Sequence, residues 1–213
     1  MREILVMARI SHENVMGLAV TFSLIFLMGV CLALGVDTPT VVVKNTIDEV
    51  IRLVTDETLK VPDQASHRRD LLEETIGNNF DFEEMAKRSL AVHWKNRNAS
   101  EHHEFVTLFR SLLSKTYSGK IENYSGETIN YLKERLKDGY AEVQTNIVTA
   151  HTENTLDYRL MLKGSTWRVY DVVVNGVSLV KNYRSQFARI IHRSSYEDLV
   201  IALREKSSEI TAP

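Results

Sequence analysis

Seven histidines, a pair of strand aspartates and an arginine beside a tyrosine are the side chains of this chain best suited to chemistry. His102 and His103 are adjacent, so on a helix they point roughly a hundred degrees apart and cannot chelate one ion together. His67, His93, His151 and His192 have no Cys, Asp or Glu partner at the spacing of a metal site. Solvated or packed imidazoles account for them. Asp157 and Asp171 fall on neighbouring predicted strands and would suit acid–base work. Arg159 and Arg168 lie on the same two strands, however, and ordinary cross-strand ion pairs are the simpler reading. Arg184 follows Tyr183 at the start of a predicted helix. Its guanidinium suits a phosphate or a partner protein as well as a helix-capping role. No glycine-rich phosphate loop, serine elbow or H-E-x-x-H occurs. The residues offer no catalytic constellation and imply no cofactor and no metal.

What positions these residues begins with a targeting element. Arg2 and Arg9 precede an uncharged run from Met16 to Val36, the pattern of a secretory signal. Ala33-Leu34-Gly35 supplies small residues for cleavage, so residues 1–36 read as a signal peptide. The run also approaches the roughly 20 residues that span a bilayer, which leaves an uncleaved anchor as the competitor. Lipidation of Cys31 is disfavoured by the bulky Val30 before it. The folded part is expected to be exported and periplasmic. Cys31 is the only cysteine, so residues 37–206, read as one domain, carry neither a disulfide nor a reactive thiol. Residues 207–213 read as a flexible tail. Lys and Arg number 26 against 28 Asp and Glu, and this balance gives no reason to expect a nucleic-acid partner.

The domain reads helices, then strands, then helices. Thr38 and Pro39 make a helix start, and Val43, Ile47, Val50, Ile51 and Val54 follow at helical spacing. Val61-Pro62 breaks the pattern, and a second helix runs through Leu71, Leu72 and Ile76 to about Gly77. Asp81 is placed to cap a third helix at Glu84, whose side chain would reach back, with Phe80 and Met85 as a hydrophobic staple. Phe105, Leu108, Phe109, Leu112, Leu113, Thr116, Tyr117 and Ile121 form a broad apolar stripe. From Thr128 the period becomes two. Thr128 to Leu136, Tyr140 to Thr149, the run through Leu156 to Leu162, and Trp167 to Val174 read as four strands, the first pair joined by an Asp138-Gly139 hairpin turn. In the last strand alternation places Trp167, Val169, Asp171 and Val173 on one face. A helix after Gly176 carries Leu179, Val180, Tyr183 and Phe187, and Ser194 with Glu197 caps a final one. The class is α+β: a curled antiparallel sheet of about four strands packed against helices.

Phe109, Leu113, Tyr117, Val143, Ile147, Tyr158, Leu160, Trp167, Val169, Leu179, Val180, Tyr183 and Phe187 would line the space between sheet and helices. Such residues usually fill a core densely. A curled sheet closed by helices also allows a dry cavity for an apolar ligand. Periodicity does not choose between the two.

One stretch is more specific. Trp167-x-x-Tyr170-Asp171-Val172, Gly176-Val177-Ser178-Leu179-Val180 and Asn182-Tyr183-Arg184-Ser185-Gln186-Phe187 resemble the signature of the MlaC, or toluene tolerance, family. The likeness runs from about Pro39 to Lys206. It includes Phe80 to Ala86, Trp94, the Phe105-to-Tyr117 stripe, Tyr124 and Asp157-Tyr158-Arg159-Leu160. Ala91 departs from it, standing where the family usually has a glycine. The resemblance implies a periplasmic phospholipid carrier with a lipid-sized apolar pocket between sheet and helices. It also implies partners: an inner-membrane ABC transporter complex with lipid-binding subunits, and an outer-membrane lipoprotein complex. Such a carrier maintains outer-membrane lipid asymmetry, holds a phospholipid as cargo and is no enzyme. The alternatives are a hopanoid-associated carrier of the same superfamily, a small-molecule enzyme using Asp157, Asp171 or His151, and an interaction domain with a solid core.

Overall fold

The computed structural model of the chain describes residues 37–150 and 152–208. The expected signal segment with Cys31, His151 and residues 209–213 lie outside the described residues.

Helix α1 (Pro39–Thr55) starts as its sequence dictates, with the Thr38 side chain accepting from the Val41 N–H at 3.3 Å and proline in the first turn. A single 3₁₀ turn at Pro62–Gln64 leads into α2 (Ala65–Asn79), which extends two residues beyond the expected stop at Gly77. Helix α3 (Phe82–Leu90) is capped by Asp81, whose carboxylate accepts from the Glu84 N–H at 3.0 Å. The return half of that capping box does not form. The Asp81 N–H donates to the Val169 carbonyl at 2.8 Å, so the Glu84 side chain turns to Arg88 instead, at 2.8 Å. The chain entering α3 is thereby pinned to the sheet, with Phe80 in a parallel bridge to Val169. Helix α4 (Ala99–Glu122) opens on a full capping box of Asn98 and Glu101.

The strands are β1 (Thr128–Lys137), β2 (Tyr140–Val148), β3 (Glu153–Lys163), β4 (Thr166–Val174) and a two-residue β5 (Val177–Ser178). They form one antiparallel sheet in chain order, so a short fifth strand joins the expected meander. Asp138 and Gly139 take φ of 50° and 76°, the left-handed pair a two-residue hairpin requires. Helices α5 (Leu179–Arg193) and α6 (Tyr196–Ser208) complete the fold, α6 continuing into the stretch read as tail. Its cap is Ser195, one residue beyond the expected Ser194; the Ser195 hydroxyl accepts from the Asp198 N–H at 3.0 Å.

Two bulges decide which side chains face the helices. In β1, Tyr131 pairs with Thr145 and Lys133 with Gln144, leaving Leu132 unpaired. In β4, Arg159 faces Asp171 while Leu160 faces Val169, leaving Tyr170 as the extra residue. A bulge reverses the alternation beyond it. Trp167 and Val169 therefore share their face with Val172 and Val174. Asp171 and Val173, expected beside them, lie on the opposite face.

Candidate functional site

The apolar residues proposed as a lining divide between two clusters. Val143, Tyr158, Leu160, Trp167 and Val169 pack with Val43 of α1 on the inner face of the sheet, with Leu179 half-buried against them. Phe109, Leu113, Val180, Tyr183 and Phe187 belong to a helical cluster with Phe105, and Tyr117 packs against its side. Its rings meet edge to face, Phe109 to Tyr183 at 5.3 Å and Phe109 to Phe187 at 5.6 Å. Ile147 belongs to neither cluster. A third cluster joins Leu53 and Val54 of α1 to Leu72 of α2, with Ile121 of α4 against it. Phe80 touches both the sheet and the helical clusters. The apolar interior is thus divided, whereas a domain of this kind usually has one contiguous core.

The sheet's inner face changes character along its length. Ala141, Val143, Leu160, Trp167, Val169 and Val172 are buried. Further along, Tyr131, Thr145, Leu156 and Val174 stand directly opposite one another across four strands, with Ile147 opposite Ile129 in the next row. In this band all but Thr145 are only half-buried. Tyr131, Leu156 and Val174 pack against the edge of the sheet cluster and are less enclosed than its centre.

The charged residues have structural employment. Asp171 is buried and accepts from the Ser178 hydroxyl at 2.7 Å, the Val180 N–H at 3.1 Å and Arg159 at 3.1 Å. It ties β4 to β5 and to the start of α5. Arg159 also reaches Glu142 at 3.4 Å. Arg168 donates to the Asn78 carbonyl and forms no pair with Asp157. Burial first, then the Glu142 charge, raise the Asp157 carboxyl above its ordinary value. It lies on the outer face, diagonal to Asp171, away from the apolar band. Arg184 is exposed and donates to the Arg88 carbonyl at 2.8 Å, satisfying the last turn of α3. His102 stacks on Trp94 with centroids 3.8 Å apart. Among the described residues no three His, Cys, Asp or Glu gather into a metal site. No helix there is long and apolar enough to cross a membrane.

A depression of about 380 Å³ lies between α2 and α4, lined by Asp70, Glu73, Glu74, Gly77, Asn78 and Arg110. Three carboxylates make it unsuitable for acyl chains. Arg110 bridges it, donating to the Glu73 carbonyl at 2.9 Å with its guanidinium over the Phe82 ring.

Comparison with known proteins places the chain in a family. The sequence model of the family described as MlaC protein matches residues 44–205. The chain belongs to the MlaC family. The intermembrane phospholipid transport system binding protein MlaC of Haemophilus influenzae is 20% identical over 183 residues, covering 83% of this chain and 86% of that protein. Toluene tolerance protein ttg2D of Pseudomonas putida is 24% identical over 166 residues, covering 76% and 77%. Among solved structures, a phospholipid-binding protein from Ralstonia solanacearum, in complex with a phospholipid, superposes with a TM-score of 0.71 at 25% identity. That match covers 80% of this chain and 97% of the other. The α+β architecture expected of an MlaC protein is the one observed. Sequence reading did not name Tyr131, Leu156 or Val174 among the candidates, although all three stand in the half-buried row of this MlaC-family chain. The Leu132 bulge explains the first, because simple alternation back from the hairpin puts Tyr131 on the outer face.

Proposed function

We propose that this chain is the phospholipid-binding carrier of an intermembrane lipid transport system and works in the periplasm. Its cargo lies with the acyl chains along the Tyr131–Thr145–Leu156–Val174 row, and it makes and breaks no bond. The observation that carries this reading is the half-buried band across four strands, in a fold matching a protein solved with a phospholipid. Each methylene moved from water onto such a wall contributes about 0.8 kcal/mol. Two long acyl chains would be held firmly, and release into water would be slow. Handover therefore needs docking to partners that extend the apolar path: an inner-membrane ABC transporter complex on one side and an outer-membrane lipoprotein complex on the other. Arg184 keeps its guanidinium at the surface, where it is available to such a partner or to a headgroup.

Native mass spectrometry of the exported protein, purified without detergent, tests the reading. A diacyl phospholipid at about one per chain is the expected result, by the burial argument above. An unliganded mass, unchanged after incubation with phospholipid vesicles, overturns it.

A further inference from the structure

Tyr131 stands at the β1 end of the apolar row, directly opposite Thr145. Its ring packs against the sheet cluster, while its hydroxyl is buried and has no hydrogen-bond partner among the described residues. The neighbouring hydroxyl is satisfied: Thr145 donates to the Leu156 carbonyl at 2.5 Å. The charges on the α1 side do not serve Tyr131 either. Asp48 is taken up by Lys44 at 2.5 Å. Burial, and then the Asp48 charge, push the Tyr131 phenol up to about 12, so it carries its proton at neutral pH. Folded proteins seldom keep a buried donor without an acceptor, because the loss of hydration goes uncompensated.

We propose that the Tyr131 hydroxyl is the polar anchor of the lipid site, donating a hydrogen bond to an ester carbonyl where an acyl chain meets the glycerol. This deepens the carrier reading and rests on it. The chemistry of the surroundings selects the acceptor. Leu156, Val174 and Ile147 offer an acyl chain only apolar contact, so the acceptor must be uncharged and sit at the head of that chain. A phosphate is disfavoured, since it would have to shed its water against the apolar side chains of this row without a cation to pair with it. An ester carbonyl meets both conditions, and a single fixed donor in an apolar wall sets the depth at which a ligand rests.

The test compares a diacyl phosphatidylglycerol with its dialkyl ether counterpart, which has the same chains and headgroup but no carbonyls. Wild-type protein is expected to bind the ester lipid roughly five- to tenfold more tightly, the worth of one ordinary hydrogen bond. Tyr131→Phe is expected to lose that preference while its lipid-free urea midpoint stays at or above wild type, because the removed hydroxyl is unpartnered. Equal wild-type affinity for the two lipids, or a preference that survives in Tyr131→Phe, overturns the anchor and leaves the carrier intact. Wild-type protein that binds neither lipid overturns both. The wild-type comparison decides the matter even where the variant fails to fold.

Discussion

The Glu134 carboxylate on β1 accepts two hydrogen bonds from Thr40 in the first turn of α1, from the backbone N–H at 2.8 Å and from the hydroxyl at 2.6 Å. Glu134 lies opposite Val143 on the inner face, so this contact fastens the first helix over the sheet's apolar side. A carboxylate at a helix N-terminus also meets the positive end of the helix dipole.

Glu134→Ala is therefore expected to loosen α1 at its start. The loss should be about 2 kcal/mol, the range for hydrogen bonds to a charged group. Hydrogen exchange at the amides of Thr40 to Val43 should speed up, and lipid transfer to acceptor vesicles should accelerate with it. Unchanged exchange in α1 would show that the latch is unimportant.

Ala91 closes α3 with φ of 52° and ψ of −117°, a conformation that L-residues avoid and glycine accepts. The family's usual glycine at this place fits that geometry. Ala91→Gly is expected to stabilise the fold by about 1 kcal/mol, the relief of strain exceeding the added freedom of the unfolded chain. Urea denaturation reads it directly, and a destabilised variant would refute the strain.

How far the sequence reveals this fold depends on whether a feature is local. The turn at Asp138-Gly139, the caps at Thr38 and Asp81 and the helical stripes are legible because each is decided within a few residues. The bulges at Leu132 and Tyr170 are not. Nothing local marks them; they arise from what the partner strand and helices require. Tyr170 is accommodated by the Arg88 guanidinium, 4.1 Å from its ring centroid, and by the edge of Tyr140. Each bulge flips the faces beyond it, so alternation misplaces Asp171 and overlooks Tyr131. Glu84 shows the same limit: its expected partner, the Asp81 N–H, is taken by Val169 on a strand far along the chain, which no local rule sees. The division of the apolar interior is likewise a three-dimensional fact, because periodicity marks a face as apolar without saying whether protein or ligand covers it.

Asp157 gives a pH-dependent prediction. Its folded carboxyl holds the proton more tightly than the unfolded one, through burial first and then the Glu142 charge. Its favourable contribution is present below the ordinary carboxyl value of about 4 and is lost as pH rises through the raised folded value. Asp157→Asn is expected to have a higher urea midpoint than wild type at neutral pH, with the difference shrinking in acid. A variant less stable at neutral pH would mean that the carboxylate has a favourable role that burial does not reveal.

Two leucines on one strand test the proposed lining against the core. Leu160 is 0% exposed within the sheet cluster, while Leu156 is half-buried in the band beside Thr145 and Val174. Truncating a fully enclosed leucine removes its transfer free energy and leaves a cavity, so Leu160→Ala should cost about 2–5 kcal/mol. Leu156→Ala removes a group whose neighbours do not enclose it, and its cost should stay near 1 kcal/mol, the loss of partial burial alone. Lipid affinity should order the two the other way. Leu156→Ala should weaken phospholipid binding several-fold, since one to two methylene-equivalents of contact are lost from the wall. Leu160→Ala, assayed under conditions where it remains folded, should bind nearly as wild type. A Leu156→Ala variant as destabilised as Leu160→Ala and unimpaired in lipid binding would make the band part of the packed core, and the cargo would have to lie elsewhere.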